Sequence, residues 1–162
     1  MWDTFTATLG QLHQQYEKIH ALQEKKRGLL VALDMEALEK LTAEESFLAA
    51  AVQTLEKQRL MQLAQIAQET PGVTPETTME ELALLAPTDE IHRAVLGASR
   101  KLSLLVKAVQ ERSEANAFLM EGLLIAVNRQ LGKIGGTVVD PVYGSGGGEQ
   151  VRHLKKNLDY EA

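Results

Sequence analysis

The sequence predicts an all-α fold: an elongated antiparallel hairpin or bundle of three long helices, with one short helix and a flexible glycine-rich tail. Hydrophobic residues make up 44% of the 162-residue chain and aromatic residues only 4%. Leucine, alanine and long charged side chains, which favour helix over sheet, dominate instead. Apolar residues recur at alternating spacings of three and four, the heptad pattern of helices packed side by side. Segments containing proline and glycine divide this pattern into separate helices.

The first two helices are predicted to form an antiparallel hairpin. The first extends to about Leu33, and its apolar seam consists of Phe5, Leu9, Leu12, Tyr16, Ile19, Leu30 and Leu33. Gln23 and Lys26 interrupt this seam, and we interpret them as a solvated or locally loosened stretch. Asp34 is a natural N-cap for a second helix that ends near Gln68. A single continuous helix is the alternative, because Asp34 alone is a weak stop signal. The second seam consists of Leu38, Leu41, Leu48, Val52, Leu55 and Ile66, with weak points at Glu45, Arg59 and Gln62.

A short helix is predicted after the boundary at 70–75, where prolines and a glycine lie close together. Thr78 and Glu81 match a capping box, in which each side chain satisfies a free backbone N–H of the first turn. The short helix extends from about Met79 to Ala86, and Pro87 closes it.

The last long helix begins at a cap formed by Thr88 or Asp89 and extends to about Ile134. Arg112 and Asn116 interrupt its heptad seam, which consists of Ile91, Val95, Ala98, Leu102, Leu105, Val109, Leu119, Leu123 and Ala126.

A change of composition predicts two parts: a helical bundle domain over 1–134, and a linker with a short amphipathic segment over 135–162. The glycines of 144–148 favour a flexible connection. In the segment that follows, one face of a short helix would carry Val151, Leu154 and Leu158. Its other faces would carry Arg152, His153, Lys155 and Lys156.

Composition and charge exclude several classes of function. The net charge is −5 with both signs interspersed, so no basic footprint for nucleic acid is expected. The absence of cysteine excludes disulfides and thiol chemistry. The N-terminus lacks the pattern of a signal peptide, and the most apolar window, 117–127, is shorter than the roughly 20 residues that span a membrane. We therefore expect a cytoplasmic protein without membrane insertion.

No catalytic, cofactor or metal site is predicted. Glu17 and His20 have the Glu-x-x-His spacing of helical di-iron proteins, and Asp89 and His92 have a related spacing. These residues fall beside the heptad seam rather than on it, whereas metal ligands must point into the bundle. No phosphate-binding loop or nucleophile motif is present in a suitable context, so we expect a protein that is not an enzyme.

The stretch 118–127 differs from the earlier helices because it is apolar nearly all round. In the heptad register Leu119 and Leu123 face the hairpin, while Phe118, Leu124 and Ile125 fall on other sides. A helix of this kind must be covered. Either the short helix or the tail covers it, or it binds another protein's amphipathic segment or a second copy of the chain.

The sequence resembles the FlgN family over roughly residues 5 to 147. The resemblance rests on Lys25–Leu30, on Asp34–Leu41 followed by Glu44-Glu45, and on Asn116, the apolar run and Asn128. The segment Val142-Tyr143-Gly144-Ser145-Gly146-Gly147 is its most specific element. The tail after Glu149 departs from the family pattern.

The resemblance implies a cytoplasmic chaperone of the flagellar type III export system. Such chaperones bind the hook–filament junction proteins FlgK and FlgL, keep them unassembled and deliver them to the export gate. It implies that the client-binding residues are Phe118, Leu119, Leu123, Leu124 and Val127. It also implies that Tyr143 docks at the export gate.

Three alternatives stay open on the sequence alone. The first is a structural coiled-coil protein that assembles with itself, for example as a homodimer, and has no client. The second is a related helical export chaperone for another flagellar subunit. The third is a metal-binding bundle, which would show stoichiometric iron and a large thermal shift on loading.

Overall fold

A computed structural model describes residues 1–74 and 76–135, and this part of the chain contains no strand. Its helices are α1 (Trp2–Ala32), α2 (Met35–Glu69), α3 (Met79–Leu84) and α4 (Asp89–Ile134). The predicted all-α fold with three long helices and one short helix is confirmed. The chain divides into two compact units, Met1–Glu114 and Ala115–Ala162. The glycine-rich linker and the amphipathic tail segment lie outside the described residues, and the division at residue 134 stays a prediction.

The chain reverses direction between α1 and α2, as the hairpin prediction requires. The Asp34 carboxylate accepts a hydrogen bond from the Ala37 N–H at 3.1 Å, so Asp34 is the N-cap of α2. Leu33 has a φ of 55°, a left-handed conformation that disfavours residues with a Cβ. Its side chain is 56% exposed. The placement of Leu33 in the α1 seam is therefore wrong, because α1 ends at Ala32 and the helical register does not continue through the turn.

A hydrophobic cluster joins all four helices at the open end of the hairpin. Phe5 of α1, Ile66 of α2, Leu82 of α3 and Val95 of α4 are fully buried in it. Trp2, Leu9 and Ala83 complete its buried members, and Leu63, Met79, Ile91 and Leu102 are among the residues that pack against it. Since α3 buries its Leu82 and Ala83 here, this short helix is held by the first unit.

A second cluster lies nearer the turn, where Leu22 packs against Leu41 and Leu48. Beside it Gln23 is only 2% exposed, and its side-chain amide donates a hydrogen bond to Glu45. The Lys26 ammonium donates to the other oxygen of the same carboxylate at 2.8 Å. The expected solvated or loosened stretch at Gln23 and Lys26 is therefore wrong. The polar residues that interrupt the α1 seam, Gln23 and Lys26, lie opposite Glu45, which interrupts the α2 seam, and they form hydrogen bonds with it.

Local capping fixes the ends of the short helix. The Thr78 hydroxyl accepts from the Glu81 N–H at 3.2 Å, and the Glu81 carboxylate accepts from the Thr78 N–H at 2.8 Å. The predicted capping box is thus confirmed. The hydrogen bond from the Thr78 backbone N–H and, to a smaller extent, the one from its hydroxyl stabilise the carboxylate and lower the pKa of Glu81. The helix ends at Leu84, two residues before the predicted end. His92 Nδ1 donates to the Ala83 carbonyl at 2.7 Å, so α4 supplies a cap to α3.

Helix α4 lies alongside α1 within the first unit and runs in the same direction. The Thr88 hydroxyl accepts from the Ile91 N–H at 3.2 Å, which makes Thr88 rather than Asp89 the N-terminal cap. Val95 then packs in the cluster that contains Phe5. Further along, Arg112 Nε donates to the Glu24 carboxylate at 2.6 Å. The seam interruption predicted at Arg112 is therefore an ion pair between helices.

Candidate protein-binding site

The C-terminal part of α4, residues 118–134, carries four large exposed apolar side chains, and we call it the apolar segment. Phe118 is 80% exposed, Ile125 52%, Val127 44% and Ile134 80%. With a rise of about 1.5 Å per residue, this segment is roughly 24 Å long. A helix that leaves such side chains in water offers a surface for another amphipathic element.

The segment has two different sides. Phe118 and Ile125 are seven residues apart, so two helical turns place them one above the other on the same side. Another side holds the half-buried residues, which are Leu119, Met120, Leu123, Leu124 and Leu131. Val127 and Ile134 are also seven residues apart and are exposed on this second side, so the exposed apolar groups lie on two roughly opposite sides of the helix rather than in one stripe.

Gly122 lies between Phe118 and Ile125 on the open side. A Cβ built at Gly122 would have no heavy atom within 4 Å, so nothing in the free protein requires a glycine there. The missing side chain leaves a shallow notch, open to solvent, on this side of the helix. Glu121 beside it is exposed and adds a negative charge to this side of the helix.

The structure separates the predicted client-binding residues into two groups. Phe118 and Val127 are exposed, whereas Leu119, Leu123 and Leu124 are half-buried. Sequence reasoning left Ile125 and Ile134 out of the predicted site. The spacing of seven residues between Phe118 and Ile125 was the signal for including Ile125. Tyr143, the predicted gate-docking residue, lies outside the described residues.

Other surfaces of the described residues also carry exposed apolar groups, Phe47 and Met61 among them, or a concavity. Val31, Leu33 and Met35 are exposed together at the hairpin turn, but they cover only a few residues. An open groove of about 760 Å³ lies within the first unit. Its lining includes Leu9, Met79, Leu102 and Val106, together with the charged residues Glu56, Arg59 and Lys107. The Glu56–Arg59 ion pair, at 2.9 Å, interrupts the apolar character of this groove.

Two of the residues singled out for their metal-like spacing, Glu17 and His92, have other partners. Glu17 is exposed and lies 3.7 Å from His13, and His92 donates to a backbone carbonyl. Within residues 1–74 and 76–135, no three His, Asp or Glu side chains are grouped so as to hold a metal ion. No helix in the same part of the chain has the length and apolar character to span a membrane.

Comparison with protein families connects these features to a known class. The family described as FlgN protein matches residues 1–150. The chain belongs to the FlgN family. FlgN proteins are chaperones of flagellar export rather than a family of enzymes, and this FlgN protein is therefore a flagellar export chaperone. No curated protein and no solved structure matched the chain.

The FlgN match includes all four helices and therefore the whole apolar segment. It ends before the apolar residues of the tail, since Val151 is the first residue beyond it. Residues 151–162 thus lie outside the part of this FlgN protein that matches the family.

Proposed function

We propose that this chaperone binds the C-terminal segments of the hook–filament junction proteins FlgK and FlgL through the apolar segment, in the cytoplasm. It keeps these subunits from assembling prematurely and delivers them to the export gate. The exposure of Phe118, Ile125, Val127 and Ile134 along one helix is the observation that carries this proposal. Docking at the gate through Tyr143 is proposed on the resemblance to the family.

The chemistry of the surface suits reversible capture. An amphipathic client helix that covers an aromatic side chain removes on the order of 150–250 Å² from water, at roughly 25 cal/mol per Å². Ordering a disordered client segment costs on the order of 2–5 kcal/mol. The net affinity is therefore limited, which permits release of the client at the gate.

Calorimetry with C-terminal helical segments of FlgK and FlgL tests the proposal. We expect saturable binding with a negative heat-capacity change, because apolar surface is removed from water. A scrambled peptide of the same composition, which loses the apolar face of the helix, is the control and is expected to give no saturable heat.

Other outcomes distinguish the alternatives. Binding of a segment from a different flagellar subunit, but of neither FlgK nor FlgL, would assign the chain to another client. A dimer that forms with rising concentration, together with no heat from any segment, would instead favour self-assembly through the same surface.

Gly122→Ala is expected to separate the stability of the helix from client binding. Alanine stabilises a helix interior by about 0.5–1 kcal/mol relative to glycine, and the space at Gly122 is open. We therefore expect a higher melting temperature but weaker binding of the client segment, because the notch is filled. Gly97→Ala is the matched control, since Gly97 lies on the same helix within the first unit, outside the apolar segment, and a Cβ there also has open space. It is expected to raise stability without weakening binding, and an equal loss of affinity in both variants would exclude the notch as a contact.

A further inference from the structure

The tail of this chain carries an apolar stripe that matches the apolar segment in spacing. Val151, Leu154 and Leu158 recur at spacings of three and four residues, the spacing of one helical face. Val151 and Leu158 are seven residues apart, as Phe118 and Ile125 are. This stripe lies beyond the family match, which ends at residue 150.

We propose that residues 151–158 fold back onto the open side of the apolar segment in the free protein and are displaced by the client. This inference rests on the proposed function, because it assigns the tail to the same surface. The tail makes an intramolecular contact that covers Phe118 and Ile125 until a client binds.

The connection between the two parts has a suitable length. Residues 136–150 join the end of the described chain to Val151, and their glycine-rich composition predicts a flexible chain. Such a chain of fifteen residues has a root-mean-square span of about 20–23 Å. The distance along α4 from Gly135 back to Ile125 is about 15 Å. The effective concentration of the tail at this surface is therefore on the order of millimolar.

An antiparallel arrangement places complementary groups together. When Val151 lies beside Ile125 and Leu158 beside Phe118, Leu154 falls opposite Gly122, where there is room for a leucine side chain. Arg152 and Lys155 then flank the stripe near the exposed carboxylate of Glu121. Opposite charges at the edge of an apolar contact favour this pairing over self-association of like surfaces.

In the absence of client, the tail therefore covers the client-binding surface in a fraction of the molecules. The apparent affinity for the client is the intrinsic affinity multiplied by the fraction of molecules whose surface the tail leaves uncovered. Three apolar anchors at a millimolar effective concentration give an expected reduction of about three- to fivefold. A client with micromolar affinity still displaces the tail, so the tail covers the apolar surface without preventing client binding.

The test uses the full-length chain and the substitution Leu154→Asp. We expect shifts of the backbone amide signals of Phe118, Gly122 and Ile125 in NMR spectra without client, and binding of the FlgK and FlgL segments about three- to fivefold tighter. His153→Asp is the matched control, because it adds the same negative charge next to the stripe but not on it. It is expected to leave both measurements unchanged. Thermal unfolding followed by circular dichroism checks that both variants keep the helical bundle.

The two proposals fail in different ways. Unchanged amide signals on the apolar segment in Leu154→Asp would overturn the folded-back tail, whatever the affinity for client. Shifts that grow with protein concentration would also overturn it, since the tail would then bind a second copy. Absence of binding by both client segments, with the amide shifts present, would overturn the proposed function and leave the tail contact established.

Discussion

Phe118→Asp is expected to weaken binding of the FlgK and FlgL segments by about 50- to 100-fold. Truncating an aromatic residue that a partner covers costs on the order of 2–3 kcal/mol, and the new carboxylate must also lose water when the client covers it. The side chain of Phe118 is 80% exposed in the free protein, so its replacement removes no core contact. Calorimetry gives the affinity, and circular dichroism confirms that the helix is kept.

Leu104→Asp is the matched control for this substitution. Leu104 is exposed on the same helix and lies at the same heptad position two heptads earlier, but it belongs to the first unit. It therefore places the same aspartate in the helix, with at least as large a loss of helix propensity, without touching the proposed surface. Equal weakening in both variants would show a general effect on α4. An unchanged affinity in Phe118→Asp would place the client elsewhere, with the groove of the first unit as the next surface to test.

Leu123 is a less suitable probe than Phe118, although the sequence pattern ranks the two alike. Leu123 is half-buried, so an aspartate there disturbs the packing of α4 as well as the exposed surface. A loss of binding in Leu123→Asp would mix two causes. The structure is needed for this distinction, because an apolar run shows that a helix must be covered but not which of its sides is already covered.

Helix ends were predictable from the sequence because their determinants are local. Asp34 caps α2 through Ala37, and Thr78 caps α3 through Glu81, so each cap is set within four residues of chain. Leu33 shows the limit of periodicity. The heptad count continues through it, but the backbone turns at this residue and the side chain leaves the seam.

Contacts between helices depend on register, which no local pattern contains. Gln23 and Glu45 each look like a defect in their own seam, and only the hairpin brings them together. One signal was present in the sequence, since the two residues lie at equal distances on either side of Asp34. Accepting Asp34 as the turn places them opposite each other and predicts a paired polar layer rather than a loosened stretch.

Glu45→Ala is expected to lower the free energy of unfolding by about 2–3 kcal/mol, because it leaves two inward-facing donors without their carboxylate. The Glu45 side chain is 24% exposed and serves both the Gln23 amide and the Lys26 ammonium. A buried donor that loses its acceptor is still removed from water on folding, so its desolvation penalty is no longer offset by a hydrogen bond. The smaller alanine side chain adds little stabilising contact in return. Urea unfolding followed by circular dichroism measures the change.

The surface pair between Glu36 and Lys40 provides the control. Its N–O distance of 2.7 Å is close to the 2.8 Å of the Lys26–Glu45 pair, but the Glu36 side chain is 81% exposed. Water replaces such a partner at little cost, so Glu36→Ala is expected to change stability by no more than about 0.5 kcal/mol. If the two substitutions cost the same, burial does not strengthen the Glu45 interactions. Without that strengthening, the polar layer would not help to fix which residues of α1 and α2 face each other, a role that buried polar groups have in other helical assemblies.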